Sequence, residues 1–584
     1  MADSGKKHVQ WGGLVQLLSF CFLGLAWLLP NKNYPWLSAW NEGLAFVSVG
    51  IISLVVLGHS LKNQIGAQIS RPMLLFIVLS IFAVWTQWFT GILVFRGDAW
   101  LVTLYLGFFA LSMQTAFCMT EISACSDWLD GLMGSIAVAG LVTVALSLIQ
   151  WTATYDLTVF VQEIGFRGRP FANLGQINHV NTLFFMAACA VLHLHSTGRV
   201  RSFVMLMAVV ILAFGMALTQ SRTALVQIFF LWIWSTWQKK SFNPLNNSAA
   251  ALVLAYLLWM VFLPYIAAFA DLGPGRPLHM EASDANLRLK AWAAMWDAII
   301  QHPLAGYGWL QNAMAQQMVA HENLGLRYEF NYSHNFVVDI IVWVGVPLGF
   351  IMVGCLAYWF WCHAKSRNDR ITFVAAALLG VMVHGLLEYP LAYAYFLLPT
   401  GFLMGSIDAL DPVVKMQRIH KFSMALLVMG LSALLIGVGN DYAKAVETDT
   451  LLRTEASRIG VAGKTTPPPG FYFLDQLEAQ FGFRFIDPRP NMSEDQLALM
   501  ERVARRYATL PVLTDFAYAR QLNGDKLGSD YYLNLSCAIY GDRVCERDME
   551  LWSRKRVISA GRLDVYVVPS AMRNNHSLLR SSHD

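Results

Sequence analysis

Over the first 440 positions, runs of about 20 mostly apolar residues recur, each bounded by charged or turn-forming residues. A helix rises 1.5 Å per residue, so such a run crosses the hydrocarbon core of a bilayer. Thirteen runs fit, near 11–30, 37–58, 72–92, 99–120, 131–151, 180–195, 202–219, 222–238, 248–270, 335–361, 371–388, 391–408 and 422–440. The first follows Lys6 and Lys7 but is too long for the apolar core of a secretory signal, and no small-x-small cleavage site follows it, so it reads as a retained helix. Beyond residue 440 the pattern changes. Asp441 to Arg458 keeps helical spacing, Pro467-Pro468-Pro469-Gly470 breaks it, and Ser493, followed by Asp495 and Gln496, signals a new helix start. The chain is expected to be an all-α polytopic membrane protein of about 13 transmembrane helices over 1–440, with a large outer loop at 271–333, followed by a soluble, mostly helical domain over 441–584.

Composition sharpens this division. The chain is 56% hydrophobic and only 14% charged, against about 25% charged for a soluble globular protein. Residues 1–440 hold 42 charged side chains, whereas the 144 residues of 441–584 hold 38, balanced at 19 basic and 19 acidic. No basic surface of the kind nucleic acid requires is present. Lys and Arg resist translocation, so their distribution sets orientation. With a cytoplasmic N-terminus, fourteen of the 23 basic residues of 1–440 fall on inner loops, and four of the other nine lie in the long loop 271–333. An odd number of spans then puts 441–584 on the outer side. There, Cys537 and Cys545 are close enough in sequence for a short-loop disulfide in an oxidising compartment, with two free thiols as the alternative.

On this topology the chemistry-bearing residues gather at one face. Arg222 follows the turn Thr219-Gln220-Ser221; Arg288 is in the outer loop, on a stretch 284–300 with the spacing of an amphipathic surface helix; His334 and Asp339 open a span; His384, Glu388 and Tyr389 close another; Glu42 begins the second. A single boundary Arg is commonly an anchor that snorkels to the headgroups. Two on separate outer elements, near a histidine, suit a diphosphate, because the guanidinium is a planar fork of donors that stays charged. His334 either acts as a base, since imidazole titrates near neutrality, or caps the helix that Asn335 begins. The loop Gly175-Gln176-Ile177-Asn178-His179 either binds sugar hydroxyls or satisfies backbone at the interface. No Asp-x-Asp, His-Glu-x-x-His or Cys-x-x-Cys occurs in the membrane part, and no Gly-x-x-x-x-Gly-Lys-Ser/Thr loop anywhere, so neither a metal site, nor a cofactor, nor ATP hydrolysis is expected.

Several stretches together resemble the bacterial O-antigen ligase and polymerase superfamily, and within it the protein O-oligosaccharyltransferase branch. They are Asn33-Tyr34-Pro35-Trp36 with Glu42; Arg169-Pro170-Phe171-Ala172-Asn173-Leu174-Gly175-Gln176-Ile177-Asn178-His179; Ser221-Arg222-Thr223-Ala224; Arg288 with Trp292, running to His302-Pro303-Leu304-Ala305-Gly306-Tyr307-Gly308; Ser333-His334-Asn335-Phe336 with Gly345 and Gly349; and His384-Gly385-Leu386-Leu387-Glu388-Tyr389-Pro390-Leu391. The resemblance covers roughly 10–440, and the tail looks like modules appended to this branch. One departure is Ile177, where the branch more often reads Gly-Gln-Pro-Asn.

The resemblance implies metal- and ATP-independent transfer of an oligosaccharide from undecaprenyl diphosphate to Ser or Thr hydroxyls of periplasmic acceptor proteins, such as pilin, at the bacterial inner membrane. It implies His334 as the catalytic base, Arg222 and Arg288 as donor-binding residues, and Arg169, Gln176, Asn178, His179, Glu388 and Tyr389 as substrate-binding positions. A lipid A-core or a growing glycan as acceptor would use the same residues. A transporter of lipid-linked sugar is the competing class; transporters place charged groups near the midplane, where this chain has no Lys or Arg and only His384 as a possible deep candidate.

Overall fold

The structure, a computed structural model, describes residues 20–63, 66–122, 128–153, 160–161, 168–237, 244–270, 272, 278–324, 326–366, 368, 371–457 and 470–550. It is an all-α polytopic membrane protein. Its order is α1 (Ala39–Asn63), β1 (Ala67–Ser70), α2 (Arg71–Phe89), α3 (Arg96–Glu121), α4 (Trp128–Thr152), α5 (Ile177–Ser196), α6 (Ser202–Thr219), α7 (Arg222–Trp237), α8 (Pro244–Phe269), α9 (Leu278–Gln301), α10 (Asn312–Val319), α11 (Phe336–Val344), α12 (Val346–Ala364), α13 (Thr372–Gly385), α14 (Ala394–Leu410), β2 (Met416–Ile419), α15 (Lys421–Ala456), α16 (Asp475–Arg484), α17 (Glu494–Arg506), α18 (Leu510–Leu522) and α19 (Lys526–Tyr540). Among the described residues nine helices are long and apolar enough to cross a membrane, and α13 and α14 are shorter apolar helices. The run at 222–238 forms the 16-residue α7. The run at 11–30 lies mostly outside the described residues, of which 20–25 are helical, and Pro467, Pro468 and Pro469 also lie outside them.

One expected span is two helices. The run 335–361 breaks at Gly345, whose φ of +80° a residue with a Cβ rarely adopts, and Pro347 follows without an amide hydrogen. The break docks the preceding loop. The Tyr307 and Gly308 amides donate to the carbonyls of Val342 and Trp343 at 2.9 and 3.0 Å, and Val346 donates to Pro303 at 2.7 Å. This fixes the segment before α10 against the start of α12.

At the centre, the largely buried α3 and α5 are wrapped by the other spans. Helix α14 lies against α3 through Gly401 and Gly405. A Cβ on Gly401 would meet Ser112 Oγ at 2.1 Å, and one on Gly405 would meet the Met113 carbonyl oxygen at 2.3 Å. Small residues four apart let the two backbones approach closely, as helix pairs in membranes require. At the end of α1 away from Glu42, β1 pairs antiparallel with β2, Ala67 opposite Ile419 and Ser70 opposite Met416. Hydropathy gives no sign of this clip, which is only four residues long on each side.

Helix α15 runs unbroken from the last span into the tail, so residue 440 falls inside it. The start signal at Ser493 is realised as a capping box with Gln496, and Cys537 and Cys545 are disulfide-bonded. The tail packs on the N-terminus of α3. Phe95, at the N-cap of α3, supplies no side-chain cap; instead the Asp475 carboxylate accepts from the Gly97 and Arg96 amides at 2.6 and 3.2 Å. In the same turn, Arg506 Nε and Nη2 donate to Asp98 at 2.8 and 3.4 Å, with both side chains buried. An apolar cluster shared by Phe95, Ala320, Met500, Val503 and Phe516 surrounds these contacts.

Removing one member of a buried ion pair leaves an uncompensated charge. Arg506→Ala is therefore expected to cost about 3–5 kcal/mol, and Asp475→Ala about 0.5–2 kcal/mol, the value of a lost cap. Chemical unfolding of the purified variants in detergent measures both. The double variant Asp98→Ala/Arg506→Ala should be more stable than Arg506→Ala alone; equal or lower stability would show that this pair does not hold the tail in place.

Candidate active site

Glu388 organises the site. It sits in the turn between α13 and α14, where the chain leaves α13 with the Glu388 amide donating to the His384 carbonyl at 2.8 Å. The side chain is buried, with about 3% of its surface exposed. Oε1 accepts from Arg288 Nη2 of α9 and from Asn178 Nδ2 of α5 at 3.0 Å, and Oε2 pairs with His334 Nδ1. Burial alone would raise the carboxyl pKa. The His334 hydrogen bond and the electrostatic attraction of His334 and Arg288 outweigh it and hold Glu388 below the usual glutamate value. Three elements far apart in sequence thus meet on one carboxylate.

His334 is fixed from both flanks. Its φ of +62° is left-handed, a conformation that His and Asn tolerate better than most residues. Before it, the Ser333 amide donates to Asp339 Oδ1 at 2.7 Å and the Ser333 carbonyl accepts from Trp292 Nε1 at 2.8 Å. After it, Asn335 caps α11, its Oδ1 accepting from the Val337 and Val338 amides at 3.0 and 3.4 Å. The capping role weighed for His334 therefore belongs to Asn335. With Nδ1 on Glu388, Nε2 is the ring nitrogen left for a substrate.

The other sequence-derived residues divide into those at the carboxylate and those supporting it. Asn178 Oδ1 accepts from Ser221 Oγ at 2.6 Å, which ties the start of α7 to Glu388 through one side chain. Arg222 is the next residue and is exposed. Arg169 Nη1 donates to the carbonyl of Gln220, at 3.1 Å, and Gln220 itself has φ +49°, so Arg169 braces the turn that presents Ser221 and Arg222. Gln176 hydrogen-bonds the Tyr389 hydroxyl, whose pKa burial and the neighbouring Glu388 push up to about 12. The Tyr389 ring stacks on Tyr332 at 4.7 Å and meets the His334 ring edge-on at 5.2 Å. His179 is fully buried one layer down, its ring against Tyr393 at 4.8 Å and His384 at 5.4 Å.

Sequence reasoning missed the supporting network. Inside the bundle, Gln227 Nε2 donates to Thr182 Oγ1 at 2.9 Å and to the Gly380 carbonyl at 2.8 Å, Asn181 donates to Gln227 Oε1 at 2.8 Å, and Thr182 meets His384 Nδ1 at 2.8 Å. Amide side chains inside apolar runs were the available signal, because a polar group in a span needs a partner there. Glu42, by contrast, is tied down by Trp36 Nε1 and the Ala394 amide, both at 3.1 Å, and by Ser38 and Tyr105.

A cavity of about 840 Å³ borders the carboxylate cluster, with Glu388, Tyr389, Gln176, Tyr332 and Glu42 on its walls. Among the described residues no three His, Cys, Asp or Glu side chains converge as metal ligands would. The arrangement offers an imidazole held by a carboxylate, an arginine at the same carboxylate, a second, exposed arginine next in sequence to Ser221, and a large adjoining cavity.

The chain is similar to known proteins over both the membrane part and the tail. Residues 207–353, which carry Arg222, Arg288 and His334, match the family described as O-antigen ligase. Residues 373–547, which carry Glu388, Tyr389 and most of the tail, match one described as virulence factor membrane-bound polymerase, C-terminal. The chain is 27% identical over 512 residues to a general O-oligosaccharyltransferase of Acinetobacter baylyi (strain ATCC 33305 / BD413 / ADP1), covering 85% of this chain and 87% of that protein. It is 22% identical over 548 residues to a ComP-specific O-oligosaccharyltransferase of the same organism, covering 91% and 96%. The matches span both the carboxylate cluster and the tail docked beside it, and they support a place for the chain in the O-antigen ligase superfamily, alongside the O-oligosaccharyltransferases.

Proposed function

We propose that this membrane glycosyltransferase moves an oligosaccharide en bloc from undecaprenyl diphosphate to Ser or Thr hydroxyls of periplasmic acceptor proteins, such as pilin, on the periplasmic face of the bacterial inner membrane. The observation that carries the reading is the Glu388 carboxylate shared by His334 and Arg288. The acceptor hydroxyl oxygen attacks the anomeric carbon, the bond from that carbon to the diphosphate breaks, and the hydroxyl proton passes to His334. Glu388 orients the imidazole and stabilises its protonated form, as a buried carboxylate does for a histidine base. Arg288 and Arg222 balance the charge that grows on the departing undecaprenyl diphosphate. No step calls for a metal ion or ATP.

The balance of Lys and Arg on the loops supports a cytoplasmic N-terminus and a periplasmic site and tail, with 1–440 as the transfer domain and 441–584 as the module beside it. The names of the two relatives favour a protein acceptor over a lipid A-core or a growing glycan. Transfer of label from lipid-linked donor to acceptor by purified enzyme in detergent separates all of these from transport, which changes no covalent bond.

Asn fits the left-handed backbone of residue 334 but is no base near neutral pH. His334→Asn should therefore insert and fold normally, keep its donor KM, and transfer at least about 10²-fold more slowly in single turnover with saturating donor. A wild-type rate would make the histidine structural. Arg222→Lys and Arg288→Lys should each impair transfer strongly at normal abundance, since Lys keeps the charge and loses the fork. Near-normal turnover in both is the result expected of membrane anchors, and would leave the diphosphate role without support.

A further inference from the structure

The cavity beside Glu388 is not closed by the membrane helices alone. Its roof comes from the tail: Leu474, Gln476, Leu477, Gln480, Arg506 and Tyr507 line it from above. Below, its wall is apolar, with Phe76, Leu101, Phe109, Phe360 and Met404 from the spans. Between these lies a belt of aromatic and polar groups that includes Trp36, Tyr105, Tyr332, Tyr389 and Tyr393 with the carboxylates of Glu42 and Glu388.

Gln476 and Thr400 both belong to this lining, although only about 4% and 1% of their surface is exposed, so each shows the cavity a small part of its side chain. The roof is also electrically balanced. Arg506 is committed to Asp98, so the tail presents amides, a phenol ring and aliphatic carbon to the cavity and no uncompensated cation. That chemistry does not suit a diphosphate or an acidic peptide. It suits a neutral polyhydroxyl ring, whose C–H faces pack on aromatic side chains and whose hydroxyls reach amide and carboxylate oxygens.

We infer that the C-terminal module is part of the sugar-binding site: its helix α16 reads the donor glycan through Gln476 and Gln480 while the membrane helices hold the lipid diphosphate. The inference rests on the transfer reading above and adds the part of the chain that recognises the sugar. It gives a physical reason for the tail to be locked to α3 by Asp475 and Arg506, because a roof that tilted would misplace Gln476. It also accords with one family match that runs from α13 through the site turn into the tail without a break.

Steady-state transfer by full-length Gln476→Leu and, separately, Gln480→Leu tests this, with undecaprenyl diphosphate lacking sugar as a competitive inhibitor. The donor KM should rise about 3- to 10-fold, as the loss of one hydrogen bond would produce. The inhibition constant of the sugar-free lipid and the acceptor KM should stay at wild-type values, and the former also shows that the variant is folded. Gln480 is only half-buried, so its replacement is tolerated even where Gln476→Leu disturbs packing. An unchanged donor KM in both variants overturns the inference, as does equal weakening of the sugar-free lipid. A shift confined to the acceptor KM overturns it in favour of acceptor recognition by the roof. A wild-type enzyme that forms no glycosylated acceptor refutes the transfer reading instead.

Discussion

A single buried carboxylate sets the geometry of this protein's functional end. Glu388 has few lone pairs to share, and they go to the imidazole of His334, the guanidinium of Arg288 and the amide of Asn178. Burying a carboxylate is costly unless charge and hydrogen bonds compensate it, and here both do. The same compensation fixes three structural units with respect to one another: the left-handed turn before α11, helix α9 and the start of α5. The cavity and the tyrosine stack around Tyr389 are placed relative to that point.

The tail follows a related logic at a second carboxylate pair. Helix α3 begins with no capping side chain of its own and with Asp98 in its first turn, so its N-terminus is both unsatisfied and negatively charged on the side facing the tail. Asp475 meets the free amides and Arg506 meets the aspartate, each from more than 370 residues away. Because α3 also packs through Ser112 and Met113 on the glycines of α14, the helix that follows Glu388, the tail is mechanically joined to the Glu388 turn through one helix.

Much of this was legible in the residues. Spans appear because a bilayer demands about 20 apolar residues, a constraint strong enough to read without tertiary information. His334, Arg288, Gln176 and Tyr389 stood out because charged or polar groups at span ends are hard to explain as packing, and the motifs around them resemble a known superfamily. Three kinds of feature were hidden. The break at Gly345 lies inside a run whose hydropathy is continuous, so only backbone conformation reveals it. Asn335, not His334, caps α11, which depends on a one-residue difference in backbone angle. The Asp98–Arg506 pair and the β1–β2 clip join residues hundreds apart, and a single sequence carries no signal for such pairing. Arg169 was legible as a polar position of the loop, but its work at the Gln220 turn required the coordinates.

The central claim is that Glu388 acts through His334 as a positioning residue, and a double-mutant cycle tests it most directly. Single-turnover transfer would be measured for Glu388→Gln, His334→Asn and the double variant, with saturating donor. If the carboxylate serves the imidazole, Glu388→Gln slows transfer strongly in the wild-type background and adds little once His334 is gone, so the double variant is about as slow as His334→Asn alone. If the two losses multiply, Glu388 and His334 act independently, and the shared-carboxylate account of the site is wrong.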